Sequence, residues 1–182
     1  DGNLIQIRAL DYATEAALQE VPLITVAFPD GGQPYLTVGW QGFVGTVTGM
    51  NSSQIAMSEI GDSWDKDNDT FDGIPMCFLM KDVIRSAASL DQAVAMVQDA
   101  PRTTCYLYCL GDGKIPDARA LQTSHSQCIV YGPEDLPYER LADTVYMSMG
   151  INSGWNEKIG GVLAEAHGRI DPAVAMEDVM AG

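Results

Sequence analysis

Few residues in this chain have both the type and the spacing for chemistry. Arg8 and Asp11 lie three apart at the start (Arg8-Ala9-Leu10-Asp11), a spacing that by itself reads as an ordinary strand-end ion pair. The only histidines are His125 and His167, and no GxSxG nucleophile elbow occurs, so a serine–histidine–acid triad is disfavoured. The same scarcity argues against a histidine zinc centre. Cys77, Cys105, Cys109 and Cys128 form no CxxC pair and read as buried thiols, with Cys105 and Cys109 on one strand face.

Asp65, Asp67 and Asp69 occupy positions 1, 3 and 5 of a calcium-loop pattern. Thr70 replaces the required glycine and Met76 the terminal glutamate, so the loop is no EF-hand and is only a weak calcium candidate. Had it bound calcium, the chain would read as a calcium-stabilised secreted binding domain. No phosphate-binding loop is present. A net charge of −15 repels phosphate backbones and excludes nucleic acid as a natural partner. No stretch is long and apolar enough to span a bilayer. Asn51-Ser52-Ser53 and Asn68-Asp69-Thr70 are glycosylation acceptors only in a secreted chain, which leaves the compartment open.

These residues need elements to position them. Asn3 to Asp11 alternates apolar and polar residues as a strand does, and Asp1-Gly2 reads as a hairpin turn with a partner strand upstream. Pro22–Pro29 and Tyr35–Trp40 flank the Asp30-Gly31-Gly32 turn as a second hairpin, and Ile55–Ile60 is a further strand. Gly39, Gly42, Gly45 and Gly49 mark backbone passing close to other groups. Helices are predicted from Pro75 to Ala88 and from a Ser89/Gln92 capping box to Pro101. Strands return at Thr103–Leu110, Ala118–Ser124, Gln127–Tyr131 and Thr144–Met149, before helices near Asn156–Ala166 and Pro172–Met180, the last with Asp171 as N-cap. Strands, two helices, strands, two helices is a layered α+β order in one domain, 1–182, incomplete at both ends.

The order of motifs resembles the penicillin acyltransferase-like family of N-terminal-nucleophile hydrolases. Arg8-Ala9-Leu10-Asp11-Tyr12 falls where that family reads RN-(L/W)-D-(W/F). Gly49-Met50-Asn51 and Ile55-Ala56-Met57-Ser58 follow where it reads G-(M/F)-N-x-x-G-(L/V)-A-(V/I), and Gly73-Ile74-Pro75 precedes a helix in order. The resemblance implies a four-layer αββα sandwich, here lacking its first and C-terminal strands. It also implies an amide hydrolase or acyltransferase whose N-terminal cysteine attacks a small-molecule amide with its own amine as base, without a cofactor. That cysteine belongs about ten residues upstream of Asp1, since a strand of ordinary length separates the two.

On the same resemblance Arg8 lies near the thiolate, Asp11 orients the amine, and Asn51 stands at an oxyanion-hole asparagine. Gly61 supplies a backbone donor, and Asn152 is the nearest counterpart of a second asparagine whose T-N motif is replaced by Met147-Ser148-Met149. Tyr35, Trp40, Phe43 and Trp64 are the aromatics placed to line an acyl pocket. The missing cysteine and T-N motif leave a second reading open, a catalytically inactive relative serving as a structural or binding subunit. An oligomer is compatible with either.

Overall fold

The computed structural model describes residues 3–180. Seven antiparallel strands form one sheet in the order of the sequence: β1 (Pro22–Ala27), β2 (Tyr35–Trp40), β3 (Thr48–Asn51), β4 (Ile55–Gly61), β5 (Tyr106–Asp112), β6 (Asp117–Thr123) and β7 (Cys128–Tyr131). Between β4 and β5 the chain leaves the sheet to build α1 (Met76–Ser86) and α2 (Leu90–Asp99), then returns to pair β5 beside β4.

Both helices cover one face of the sheet because their apolar residues recur at helical spacing. Leu79, Met80, Val83 and Ile84 of α1, with Leu90, Ala93 and Val97 of α2, pack on Ile55, Met57, Tyr108, Leu110 and Leu121. Strand alternation puts these sheet residues on one side. On the opposite face, Ala120 packs with Leu136, Tyr146 and Leu163 from the C-terminal region, which contains α3 (Trp155–Ala166). The chain then ends its described course with α4 (Pro172–Val174) and a wider turn, Ala175–Val179, with Asp171 capping the Val174 N–H.

Helix ends are closed by the residues that sequence chemistry requires. Ser89 Oγ accepts from Gln92 N at 3.2 Å as predicted, while Gln92 Oε1 reaches back one residue further than a capping box requires, accepting from Ala88 N at 2.9 Å. The C-terminus of α1 leaves carbonyls without intrahelical partners. Asn51 Nδ2 donates to Ile84 O and Ala87 O, while Gln33 N takes Arg85 O. Gly32 allows this approach: its φ is +101°, and a Cβ there would fall 2.8 Å from Arg85 O.

Three expectations are corrected. Residues 3–11 join no strand ladder among the described residues; Gln6 fastens them to Ser58 and Cys109 on the sheet face opposite α1 and α2. The Asp1-Gly2 turn lies outside the described residues. Thr144–Met149 has no strand neighbour and forms a loop, where Asn156 Oδ1 accepts from Ser148 N at 2.7 Å. Cys105 precedes β5, so it does not share a strand with Cys109. The described residues contain one sheet, with helices on one face and the N-terminal segment and C-terminal region on the other.

Candidate functional site

The N-terminal segment brings its polar residues to the middle of the sheet. Gln6 Nε2 donates to Ser58 Oγ at 2.8 Å and to Cys109 O at 3.1 Å, tying the segment across β4 and β5. Two residues on, Arg8 reaches the point where β3 no longer accompanies β4. Thr48 opens β3 opposite Ser58, and Arg8 Nε donates to the carbonyl of the next β4 residue, Glu59, at 3.1 Å. Arg8 Nη2 meets Glu59 Oε1 at 2.5 Å and Nη1 donates to Thr48 Oγ1 at 3.3 Å.

Arg8 is therefore held at all three guanidinium nitrogens. Three of the five N–H donors an arginine carries are used, leaving one on each terminal nitrogen. Glu59 is buried and Arg8 half-buried, and desolvation acts on both members. It draws the Arg8 pKa down against the opposing pull of Glu59, and it pushes the Glu59 carboxyl up against the opposing pull of Arg8. Tyr12 and Tyr106 are pushed up as well, first by burial and then by the Glu59 charge, which places both phenols in the field of this carboxylate.

Arg8 pairs with Glu59 and not with Asp11, which is exposed. Sequence reasoning passed over Glu59, although a signal was present. In Ile55-Ala56-Met57-Ser58-Glu59 the glutamate shares the face of Ile55 and Met57, and a carboxylate on an apolar strand face requires a cationic partner.

Asn51 is buried on the helix side with its hydrogen-bonding capacity filled. Besides its two donations to α1, its Oδ1 accepts from Ser53 N at 3.0 Å and Ile55 N at 3.1 Å. The amide fastens the β3–β4 turn to the helix and presents no donor to a substrate. Asn152 is exposed in a turn; the buried asparagine of that region is Asn156, whose Nδ2 donates to Gly150 O and Ile151 O. Gly61 closes β4, exposed and opposite Tyr106.

The four expected pocket aromatics separate. Tyr12, Trp40 and Phe43 form a chain, with ring centroids 5.6 Å apart for Tyr12–Trp40 and 4.4 Å for Trp40–Phe43. Phe43 and Tyr35 line a cavity of about 150 Å³ beside α1. Gly45, also in that wall, packs so closely on α1 that a Cβ would fall 2.5 Å from Cys77 Cβ. Trp64 belongs elsewhere, its indole Nε1 donating to Thr123 O at 3.0 Å.

The acidic loop turns inward on itself. Asp65 Oδ1 accepts from Asn68 Nδ2 at 2.5 Å, and hydrogen bonds from Ser124 and then Asn68 hold its carboxyl below the ordinary value. Asp67 and Asp69 are exposed, and among the described residues no three His, Cys, Asp or Glu side chains converge on a cation position. Burial raises the Cys105 and Cys128 thiols and pushes Cys109 up to about 11, which disfavours the thiolate at these three.

No protein-family model matches the chain. Protein dcd1A of Dictyostelium discoideum is 28% identical over 188 residues, which cover 92% of this chain and 42% of that protein. Protein dcd1B of the same organism is 27% identical over 139 residues, covering 74% and 27%. The chain thus spans less than half the length of the curated relatives it matches. Among solved structures, the Caenorhabditis elegans N-acylethanolamine-hydrolyzing acid amidase ortholog superposes with a TM-score of 0.54 at 16% identity, over 69% of this chain and 57% of that one. At that identity the likeness is one of fold alone: an α+β sheet-and-helix layer shared with that amidase.

Proposed function

We propose that this chain forms the core of an N-terminal-nucleophile amide hydrolase or acyltransferase of the penicillin acyltransferase-like type, acting on a small-molecule amide. The observation that carries the reading is Arg8. A guanidinium fixed at three nitrogens, with two N–H donors unused among the described residues, is preorganised to stabilise an anion. The fold likeness to an amidase supports the same reading.

In this mechanism a cysteine thiol from the start of the mature protein attacks the amide carbonyl, while its own α-amine takes the thiol proton and returns it to the leaving amine. Arg8 favours the thiolate, and Asp11, exposed three residues on, orients the amine. The aromatic chain Tyr12–Trp40–Phe43 offers the apolar wall for an acyl group. The four-layer sandwich belongs to the same proposal. Ile24, Val26, Val38 and Met50 are exposed on the face opposite the helices, by the register of β1 to β3, and a second sheet would cover them.

The asparagines favour the alternative of a catalytically inactive relative. Asn51 is fully engaged in packing and Asn156 in loop closure, so neither supplies an oxyanion donor as it stands. N-terminal sequencing and intact mass of the natural protein separate the two readings. A mature N-terminal cysteine whose alkylation by iodoacetamide abolishes cleavage of a panel of N-acyl amides, with Arg8→Met lowering that activity at least about a hundredfold, supports the enzyme. A mature chain without that cysteine leaves the inactive relative.

A further inference from the structure

From the cavity beside α1 we infer a binding site for a small carboxylate carrying a short apolar tail; it shares Phe43 with the aromatic chain but takes its charge from Lys81, not from Arg8. The cavity, about 150 Å³, lies between α1, the helix-side face of β1 and β2, and the loop before β3. Its wall divides by chemistry. Thr25 and Thr37 sit directly opposite each other on β1 and β2, Thr46 comes from the loop before β3, and Lys81 projects from α1; Phe43 and Val44 supply the apolar part.

Two features point to an anionic ligand. Lys81 Nζ makes one hydrogen bond, to Val44 O at 2.9 Å, and among the described residues it forms no ion pair, although the chain carries 25 acidic side chains against 10 basic ones. Two of its three donors are left for a ligand. Thr46 is 1% exposed and its hydroxyl has no hydrogen-bond partner, a state that costs free energy unless something completes it. An ammonium and hydroxyls with spare donors match a carboxylate's acceptors.

Size and charge narrow the class. The volume lies below the several hundred cubic ångströms of drug-sized sites, which limits the ligand to a few heavy atoms. A single cation balances a monoanion, and the Phe43 and Val44 wall takes an alkyl chain, so a short-chain monocarboxylate fits better than phosphate.

The test is a ¹⁵N-resolved NMR titration of this protein with sodium propionate, beside sodium phosphate and sodium chloride at matched ionic strength. The expected result is saturable shifts at Thr25, Thr37, Val44, Thr46 and Lys81 with propionate alone. Lys81→Met keeps the alkyl stem and removes the charge, and it should weaken binding about tenfold or more. Thr25→Val, at an exposed position, should weaken it less while leaving the fold untouched. Absence of saturable shifts, equal response to phosphate or chloride, or undiminished propionate binding in Lys81→Met overturns the site. None of these outcomes depends on whether an amide is cleaved.

Discussion

Asn51 offers the sharpest test of how the structure assigns roles, because a catalytic and a structural asparagine fail differently. Its side chain makes four hydrogen bonds, two donated to the last carbonyls of α1 and two accepted from the β3–β4 turn. Removing them in Asn51→Ala leaves buried Ile84 O and Ile55 N without these partners and opens a small void. At about 1 kcal/mol net for each bond, the loss is about 4 kcal/mol, a large part of the 5–15 kcal/mol that holds a domain together.

Asn51→Asp separates the halves of the network. It keeps both accepted bonds but turns both donations into a carboxylate facing carbonyl oxygens. Burial there raises the introduced carboxyl above its unfolded value. Stability is then greatest below the unfolded pKa and falls as pH rises through the folded one, so this variant should be more stable near pH 5 than near pH 8. Urea unfolding followed by circular dichroism measures both effects. If Asn51→Ala lowers stability by less than about 1 kcal/mol while any amide-cleaving activity disappears, the structural assignment of Asn51 is refuted.

Arg102 is 5% exposed and donates to the carbonyls of Ser124, Gln127, Val97, Gln98 and Ala100, closing the C-terminus of α2 and the β6–β7 turn together. Arg102→Met should cost about 3 kcal/mol or more, read as a lower melting temperature, and Arg102→Lys should rescue little because an ammonium has three donors in place of five. Asp112 is buried; burial opposes its ionisation, but the Lys114 ammonium, the Lys114 N–H and the Leu90 N–H together hold its carboxyl below the ordinary value. A depressed folded pKa contributes stability above the unfolded value, lost as pH falls through the folded one. Asp112→Asn should therefore cost about 1–3 kcal/mol at pH 7, with the gap to the parent protein closing in acid unfolding experiments below about pH 4.

Much of the fold was legible because its signals are local. Helical spacing announced α1, the Ser89/Gln92 pair marked the start of α2, and Asp171-Pro172 marked α4. Alternation and turn residues located the hairpin of β1 and β2, together with β4, β6 and β7, to within a few residues. The same local logic erred at residues 3–11 and Thr144–Met149. Alternation reports that a segment has two chemically different sides, and it does not report whether a neighbouring strand exists to pair with it.

What the residues alone determined is the class of the chain: acidic, α+β in its element order, poor in histidine, with thiols suited to burial. Only the tertiary structure decided what each polar group touches. It gave Arg8 to Glu59 across 51 positions, committed Asn51 to the end of α1, and sent Trp64 to Thr123 away from the other aromatics. Those pairings are long-range, and the cost of leaving a buried donor or charge unmatched selects them during packing. Sequence spacing carries no record of that selection until the sheet brings distant segments together.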